Sequence, residues 1–174
     1  YKGGSAFADC VKLPHTAGMV TDLDEHEVHR ALLSLNAELK RREQLLSAAG
    51  AKDLLELERR DPQTAPPSLV IVIDEFATLA KEVPSFVDGV VDVAQRGRSL
   101  GVHLILATQR PGNVVTENIR ANTNLRIALR VATPAESDDV ISAPDAARLP
   151  RSISGRALAR TGPALAQSWT SCVR

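Results

Sequence analysis

The sequence predicts an α/β fold with a mostly parallel sheet and a C-terminal β-hairpin. Two apolar runs and the helical patterning around them carry that expectation. Leu69-Val70-Ile71-Val72-Ile73 is unbroken and β-branched, and Val102-His103-Leu104-Ile105-Leu106-Ala107 is nearly so. Continuous runs of this length read as strands buried on both faces, the kind found in parallel sheets. Between and before them, apolar residues recur at helical spacing, so strands alternate with helices as parallel connections require.

Taken in order, Tyr1-Lys2-Gly3-Gly4-Ser5 is a polar, glycine-bearing start. It reads either as the exit from a strand, with glycines that permit close approach, or as an unordered terminus. Leu13-Pro14-His15 and Gly18 make a loop, and Gly18 to Thr21 a short strand. Asp24 with Glu27 suits a helix start. Val28, Ala31, Leu32, Leu35, Leu39 and Leu46 then recur on one face, against Glu38, Lys40, Arg41, Arg42 and Glu43 on the other, so an amphipathic helix runs to about Gly50. His26 and His29, near Asp22 and Asp24, read as surface histidines, because no third clustered ligand accompanies them. Asp53 to Arg60 is a short charged helix broken by Asp61-Pro62 and Pro66-Pro67. After the central run, Phe76 to Lys81 reads as a helical turn. Pro84-Ser85 opens a helix with Phe86, Val87, Val90, Val91 and Ala94 inward, ending near Gly97. Val114 to Ala121 suits a short helix, Leu125 to Val131 an alternating strand, and Thr133-Pro134-Ala135-Glu136 a capping box. Arg156 to Arg160, a turn at Gly162-Pro163, and Ala164 to Val173 form the hairpin.

Composition narrows the field. Lys and Arg total 21 and so do Asp and Glu, so net charge points to neither nucleic acid nor membrane. The distribution is uneven. From Gln95 to Arg130 there are Arg96, Arg98, Arg110, Arg120, Arg126 and Arg130 against Glu117 alone, a local excess of about +5. Aromatics are 3%, so Leu, Val, Ile and Ala do the packing. Cys10 and Cys172 make neither a disulfide framework nor a metal spacing, which suits a reducing, cytoplasmic setting. There is no signal-peptide pattern and no apolar run long enough to span a bilayer. The length suits one ordinary domain. The first residue is Tyr rather than Met, so the chain is expected to begin inside something larger.

The chemistry concentrates at strand ends. Asp74 and Glu75 follow the first apolar run directly, and open α/β sheets bind ligands at the carboxyl ends of their strands. One acid there can hold Mg²⁺ through water and the other can polarise an attacking water; a solvated acidic turn after a core strand has the same residues. Thr108 and Gln109 follow the second run, where they can bond a phosphate oxygen or a water, or simply form a polar turn before Pro111.

Several separated motifs agree in order. Leu69 to Glu75 with Phe76, Arg98 before Gly101-Val102-His103-Leu104, Ala107-Thr108-Gln109-Arg110-Pro111, and Arg126-Ile127-Ala128 resemble the motor domain of the FtsK/SpoIIIE superfamily. Tyr1 to Phe7, Leu13-Pro14-His15, Arg41-Arg42-Glu43, Ala143-Pro144-Asp145-Ala146 and Leu149-Pro150 look like its type VII secretion branch, the EccC/EssC-like ATPases. The resemblance covers nearly the whole chain, residues 1–174.

That resemblance implies a RecA-like P-loop NTPase core using ATP and Mg²⁺ and working as a ring or stack. Asp74 matches the Walker B aspartate that supports Mg²⁺, and Glu75 the carboxylate that orients water. Thr108 and Gln109 match a sensor-like segment. Arg98 matches a candidate arginine finger acting on a neighbour's nucleotide, ranked above Arg96, with Arg41 and Arg42 below both. The polymer moved is secreted protein or duplex DNA, as in chromosome segregation and cell division; a degenerate, non-hydrolysing scaffold is the reading from another class. Any membrane tether belongs to segments outside these residues. No Gly-x-x-x-x-Gly-Lys-[Ser/Thr] occurs in the sequence. In the family that Walker A loop precedes the Tyr1-Lys2-Gly3-Gly4 segment. The expectation is therefore a partial ATPase domain that lacks the P-loop strand, binds ATP poorly alone, and keeps two sheet edges that close up or pair with another chain.

Overall fold

The computed structural model describes residues 7–20, 25–110, 112, 116–162 and 169–172. The expectations placed on Tyr1 to Ser5, Thr21, Asp22, Asp24, Pro111, Val114, Pro163 to Ser168 and Val173 lie outside them. The chain divides into two compact units, Tyr1–Thr108 and Gln109–Arg174.

The first unit begins with a short 3-10 turn, Ala8–Lys12. No strand forms over Gly18 to Val20; three residues with no neighbouring ladder have nothing to pair with. Helix α1, Glu25–Ala49, is the long amphipathic helix expected. Helix α2, Leu54–Arg60, starts where Asp53 accepts the Glu56 amide at 2.8 Å, a side-chain N-cap. Strand β1, Leu69–Ile73, then α3, Phe76–Glu82, and α4, Ser85–Arg96, lead to strand β2, Val102–Leu106. The strands pair in parallel, Leu69 opposite Val102 through Ile73 opposite Leu106.

One face of this pair is covered. Leu39 and Leu46 of α1, Leu57 of α2 and Val93 of α4 form a core with Leu100 and Val102, and Leu69 and Ile71 pack on it. Val93 is buried where the sequence pattern favoured its neighbours Val91 and Ala94, which are half-buried. The expectation of strands buried on both faces fails. Burial alternates along β1, and Val70 is 55% exposed, with Val72 and Ile105 similar. A β-branched run has the same composition whether one face or two are covered.

Gly101 delivers the chain into β2. Its φ is +67°, and a Cβ there would collide with the Leu54 side chain. Both constraints favour glycine there. Its carbonyl accepts the Leu69 amide at 2.9 Å, which ties the entrances of β1 and β2 together.

The second unit contains α5, Glu117–Asn122; β3, Leu125–Leu129; α6, Pro134–Ile141; β4, Ala157–Thr161; and β5, Trp169–Cys172. The three strands form an antiparallel sheet in the order β3-β4-β5, so the C-terminal hairpin is present and β3 extends it. The capping box forms in full. Thr133 accepts the Glu136 amide, and the Glu136 carboxylate accepts the Thr133 amide at 2.9 Å. Ala128, Ile141 and Ala146 make this unit's core. Strand β3 alternates as expected, but the covered side is that of Arg126 and Ala128, while Leu125, Ile127 and Leu129 are more than half exposed. Within each sheet, β2 has β1 and β3 has β4 as its ladder partner among the described residues. Each therefore keeps one unpaired edge among the described residues.

Candidate functional site

Parallel pairing in register sets the carboxyl ends of β1 and β2 side by side. Two backbone bonds tie those ends together. The Ala107 amide donates to the Ile73 carbonyl at 2.9 Å, and the Phe76 amide donates to the Ala107 carbonyl at 2.9 Å. Phe76 is almost wholly buried and anchors the turn from below. Asp74 and Glu75 are left in the tight turn between β1 and α3, not inside a helix.

Glu75 holds φ 53° and ψ 47°, the left-handed region. A non-glycine residue there costs on the order of 1 kcal/mol. The surrounding bonds enforce it. The Glu75 amide donates to Asp74 Oδ1 at 3.0 Å, and its carbonyl accepts the Thr78 amide at 3.0 Å to open α3. Asp74 is exposed and Glu75 half-buried; Thr108, one residue past the end of the tied tip, is half-buried too. The first unit thus gathers Asp74, Glu75 and Thr108 at one end of its parallel pair. Gln109 is exposed and opens the second unit.

Arg98 is not gathered there. It precedes β2, so it stands at the opposite end of the sheet from Asp74, about 15–20 Å away by strand rise. It is exposed and makes no side-chain hydrogen bond or ion pair with a described residue. It is therefore remote from the carboxylates of its own chain. Arg96 is committed elsewhere, to Asp92 at 2.6 Å and Glu43 at 3.0 Å across the seam of α1 and α4. The Asp92 bond raises its pKa. Arg41 is exposed and pairs with Glu38 at 2.7 Å.

Arg42 overturns its sequence placement on a solvated helix face. It is 4% exposed. Nε donates to Glu38 at 2.7 Å, Nη1 to the Leu100 carbonyl at 2.9 Å and Nη2 to the Pro67 carbonyl at 2.8 Å. One guanidinium therefore pins α1 to the entrances of both β1 and β2. Only the fold brings residues 38, 67 and 100 together, so no local pattern marks it. Ser137 was also missed: buried in α6, it donates to the Ala143 carbonyl and accepts the Ala146 amide at 3.0 Å, fixing the turn that follows. His26 and His29 are exposed, and no group of three ligating side chains occurs among the described residues.

The donor set fits Mg²⁺ held by phosphate. Mg²⁺ takes one or two carboxylates and completes its shell with water and substrate oxygens. An exposed Asp74 beside a half-buried Glu75 provides that many. Among the described residues, no helix is long and apolar enough to cross a membrane.

Comparison with known proteins gives the family. The FtsK/SpoIIIE family model matches residues 54–113, which span β1, both acids and the Thr108-Gln109 pair. The chain is 39% identical over 166 residues to the type VII secretion system protein EssC of Staphylococcus aureus, covering 93% of this chain and 11% of that protein. It thus spans about a tenth of the length of that relative. Among solved structures, the cytoplasmic domain of the Thermomonospora curvata type VII secretion ATPase EccC superposes with a TM-score of 0.85 at 31% identity, over 99% of this chain and 20% of that one. The pCW3 conjugation coupling protein TcpA, solved with ATPγS, superposes with a TM-score of 0.80 at 25% identity, over 92% of this chain and 47% of that one. The chain belongs to the FtsK/SpoIIIE family, on the side of its type VII secretion EssC/EccC-like members.

Proposed function

We propose that these residues are part of an ATP-driven translocation motor that moves protein, and that the tied tips of β1 and β2 are half of its nucleotide site. The single observation that carries the reading is the placement of Asp74 and Glu75 at the end of β1, bonded across to the end of β2 beside Thr108. When bound, Mg-ATP supplies a γ-phosphoryl group and a cation that draws charge off its oxygens. Asp74 holds the water shell of the cation. Glu75 accepts a hydrogen bond from a water and so aligns its lone pair; the rigid left-handed turn keeps that carboxylate from swinging away. Thr108 donates to oxygen at the neighbouring tip. Arg98, exposed at the far end of β2, reaches a nucleotide held by a second copy, where its positive charge offsets the charge that builds on transfer.

No Walker A motif is present in the 174 residues, so these residues do not by themselves provide that backbone cradle for the phosphates. The expected result for this chain alone is no tight Mg-ATP binding in a calorimetric titration. Micromolar binding by the chain alone would contradict that assignment. In the full-length protein, Glu75→Gln is expected to lower ATP turnover by roughly 10²–10⁴-fold while nucleotide still binds. Undiminished turnover would refute the role given to Glu75 and favour the scaffold reading.

Duplex DNA is the second polymer to consider, supported by the likeness to a conjugation coupling protein. Of the six arginines in the local excess, Arg98, Arg110 and Arg130 are exposed and three are engaged or covered. Arg96 and Arg120 are ion-paired and Arg126 is half-buried on the covered face of its sheet. Protein is the better fit. Steeply salt-dependent duplex binding by the full-length protein would reverse that preference.

A further inference from the structure

The ladder of β3 and β4 sets Arg126 directly opposite Arg160. Opposed side chains in an antiparallel pair leave the sheet on the same face with Cβ atoms about 5 Å apart, and like charges so placed repel. Ala128, two residues along that face, is buried against Ile141. Both arginines therefore lie on the side of the sheet that the rest of the unit covers. Arg160 is 7% exposed, and its Nη1 donates to the Ile141 carbonyl at 2.9 Å, a partner without charge. Arg120, on α5, adds a third positive group.

Compensation is incomplete. Arg120 Nη2 bonds Asp139 Oδ1 at 3.2 Å, and its Nη1 lies 3.8 Å from an exposed Glu117. Arg126 makes no side-chain hydrogen bond or ion pair with a described residue. The Nε atoms of Arg120 and Arg126 are both buried without a hydrogen-bond partner. Burial, followed by the charges of Arg160 and Arg120, pushes the Arg126 pKa down. A guanidinium in that position is held at a cost that the described residues do not offset.

We propose that Arg120, Arg126 and Arg160 form a binding site for a compact oxyanion, a phosphate group or a carboxylate, with Arg126 as its principal donor. The argument rests on shape as well as charge. A guanidinium presents parallel N–H donors that match two oxygens of one anion. Such a ligand cancels the repulsion across the ladder and meets the Nε hydrogens that have no acceptor. The site uses none of Asp74, Glu75 or Thr108, so it stands or falls apart from the nucleotide reading.

Urea denaturation of the full chain tests it, with chloride replaced at constant ionic strength by inorganic phosphate in one arm and acetate in the other. The wild-type midpoint is expected to rise saturably with one of the two anions, and the responding arm names the class. Arg126→Gln is expected to raise the midpoint in chloride, because it removes the repulsion, and to abolish the anion response. Arg126→Lys keeps the charge without the fork and is expected to weaken apparent affinity about tenfold. The Nε–H resonances of Arg120 and Arg126 in the wild type, which need no variant to fold, are expected to shift with the same saturation curve. A lowered midpoint for Arg126→Gln in chloride, an anion response that survives it, or Nε–H signals unmoved by both anions would overturn the proposal.

Discussion

Arg42 in the first unit is buried and Arg126 in the second is half-buried, and the protein provides for them in opposite ways. Arg42 has one carboxylate and two carbonyls, and those partners come from three separate segments of the chain. Arg126 has a like charge across its ladder and an Nε with no acceptor. Burying a guanidinium costs several kcal/mol wherever it happens. Where the chain itself offsets that cost, the residue serves the fold. Where it does not, something from outside must, and that points to a site. Arg96 lies between the two: its terminal nitrogens are ion-paired to Asp92 and Glu43, while its Nε is buried without a partner.

The largest effect that would break or sharpen this contrast is at Arg42. Arg42→Ala leaves the Pro67 and Leu100 carbonyls without their side-chain donor, while Glu38 keeps Arg41 as a donor. The substitution is expected to destabilise the chain by about 3 kcal/mol. Arg41→Ala, which removes an exposed ion pair on the same turn, is expected to cost about 0.5 kcal/mol or less. Equal urea midpoints for the two variants would mean that burial has not distinguished them. The opposite sign expected for Arg126→Gln in chloride is the other half of the same test.

A smaller effect separates backbone strain from side-chain chemistry at Glu75. Glycine adopts the left-handed region without a Cβ penalty, whereas alanine does not. Glu75→Gly is expected to be more stable than Glu75→Ala by about 1 kcal/mol. Both should be inactive in the full-length protein. Indistinguishable midpoints would show that the turn relaxes when the carboxylate leaves.

The smallest effect is a pH dependence at Glu38. The Arg41 hydrogen bond, opposed by burial and reinforced by Arg42, lowers its pKa from 4.5 to about 2. Lowering the folded value means that the unfolded chain binds the proton more readily, so stability falls with falling pH. The contribution is complete above about pH 4.5 and is lost as pH falls toward about 2. The difference in stability between wild type and Glu38→Gln is expected to shrink over that window. A difference that stays constant from pH 6 to 2 would show that Glu38 acts only as a neutral acceptor.

Much of this was legible in the residues because it is local. The apolar period of α1, the capping box at Thr133 and the acids closing β1 each lie within a few residues of their cause. Hairpin β4–β5 followed from strand-like runs on either side of a turn. The exposed face of β1 was not legible, because Val and Ile satisfy a half-covered strand as well as a covered one. The inversion of β3 was missed for the reverse reason. Its covered side carries two arginines and its open side three apolar residues, which is what hydropathy would assign the other way.

The sequence by itself determined the alternation of helices and strands, the two carboxylates and their place at a strand's end, because these depend on neighbours in the chain. Only the tertiary structure decided that the ends of β1 and β2 are tied together, that Glu75 is held left-handed, that Arg42 is buried and paired, and that Arg126 faces Arg160. Each of those depends on ladder register or on contacts between residues tens of positions apart. Such contacts exist only once the chain has folded, and no periodicity along the chain encodes them.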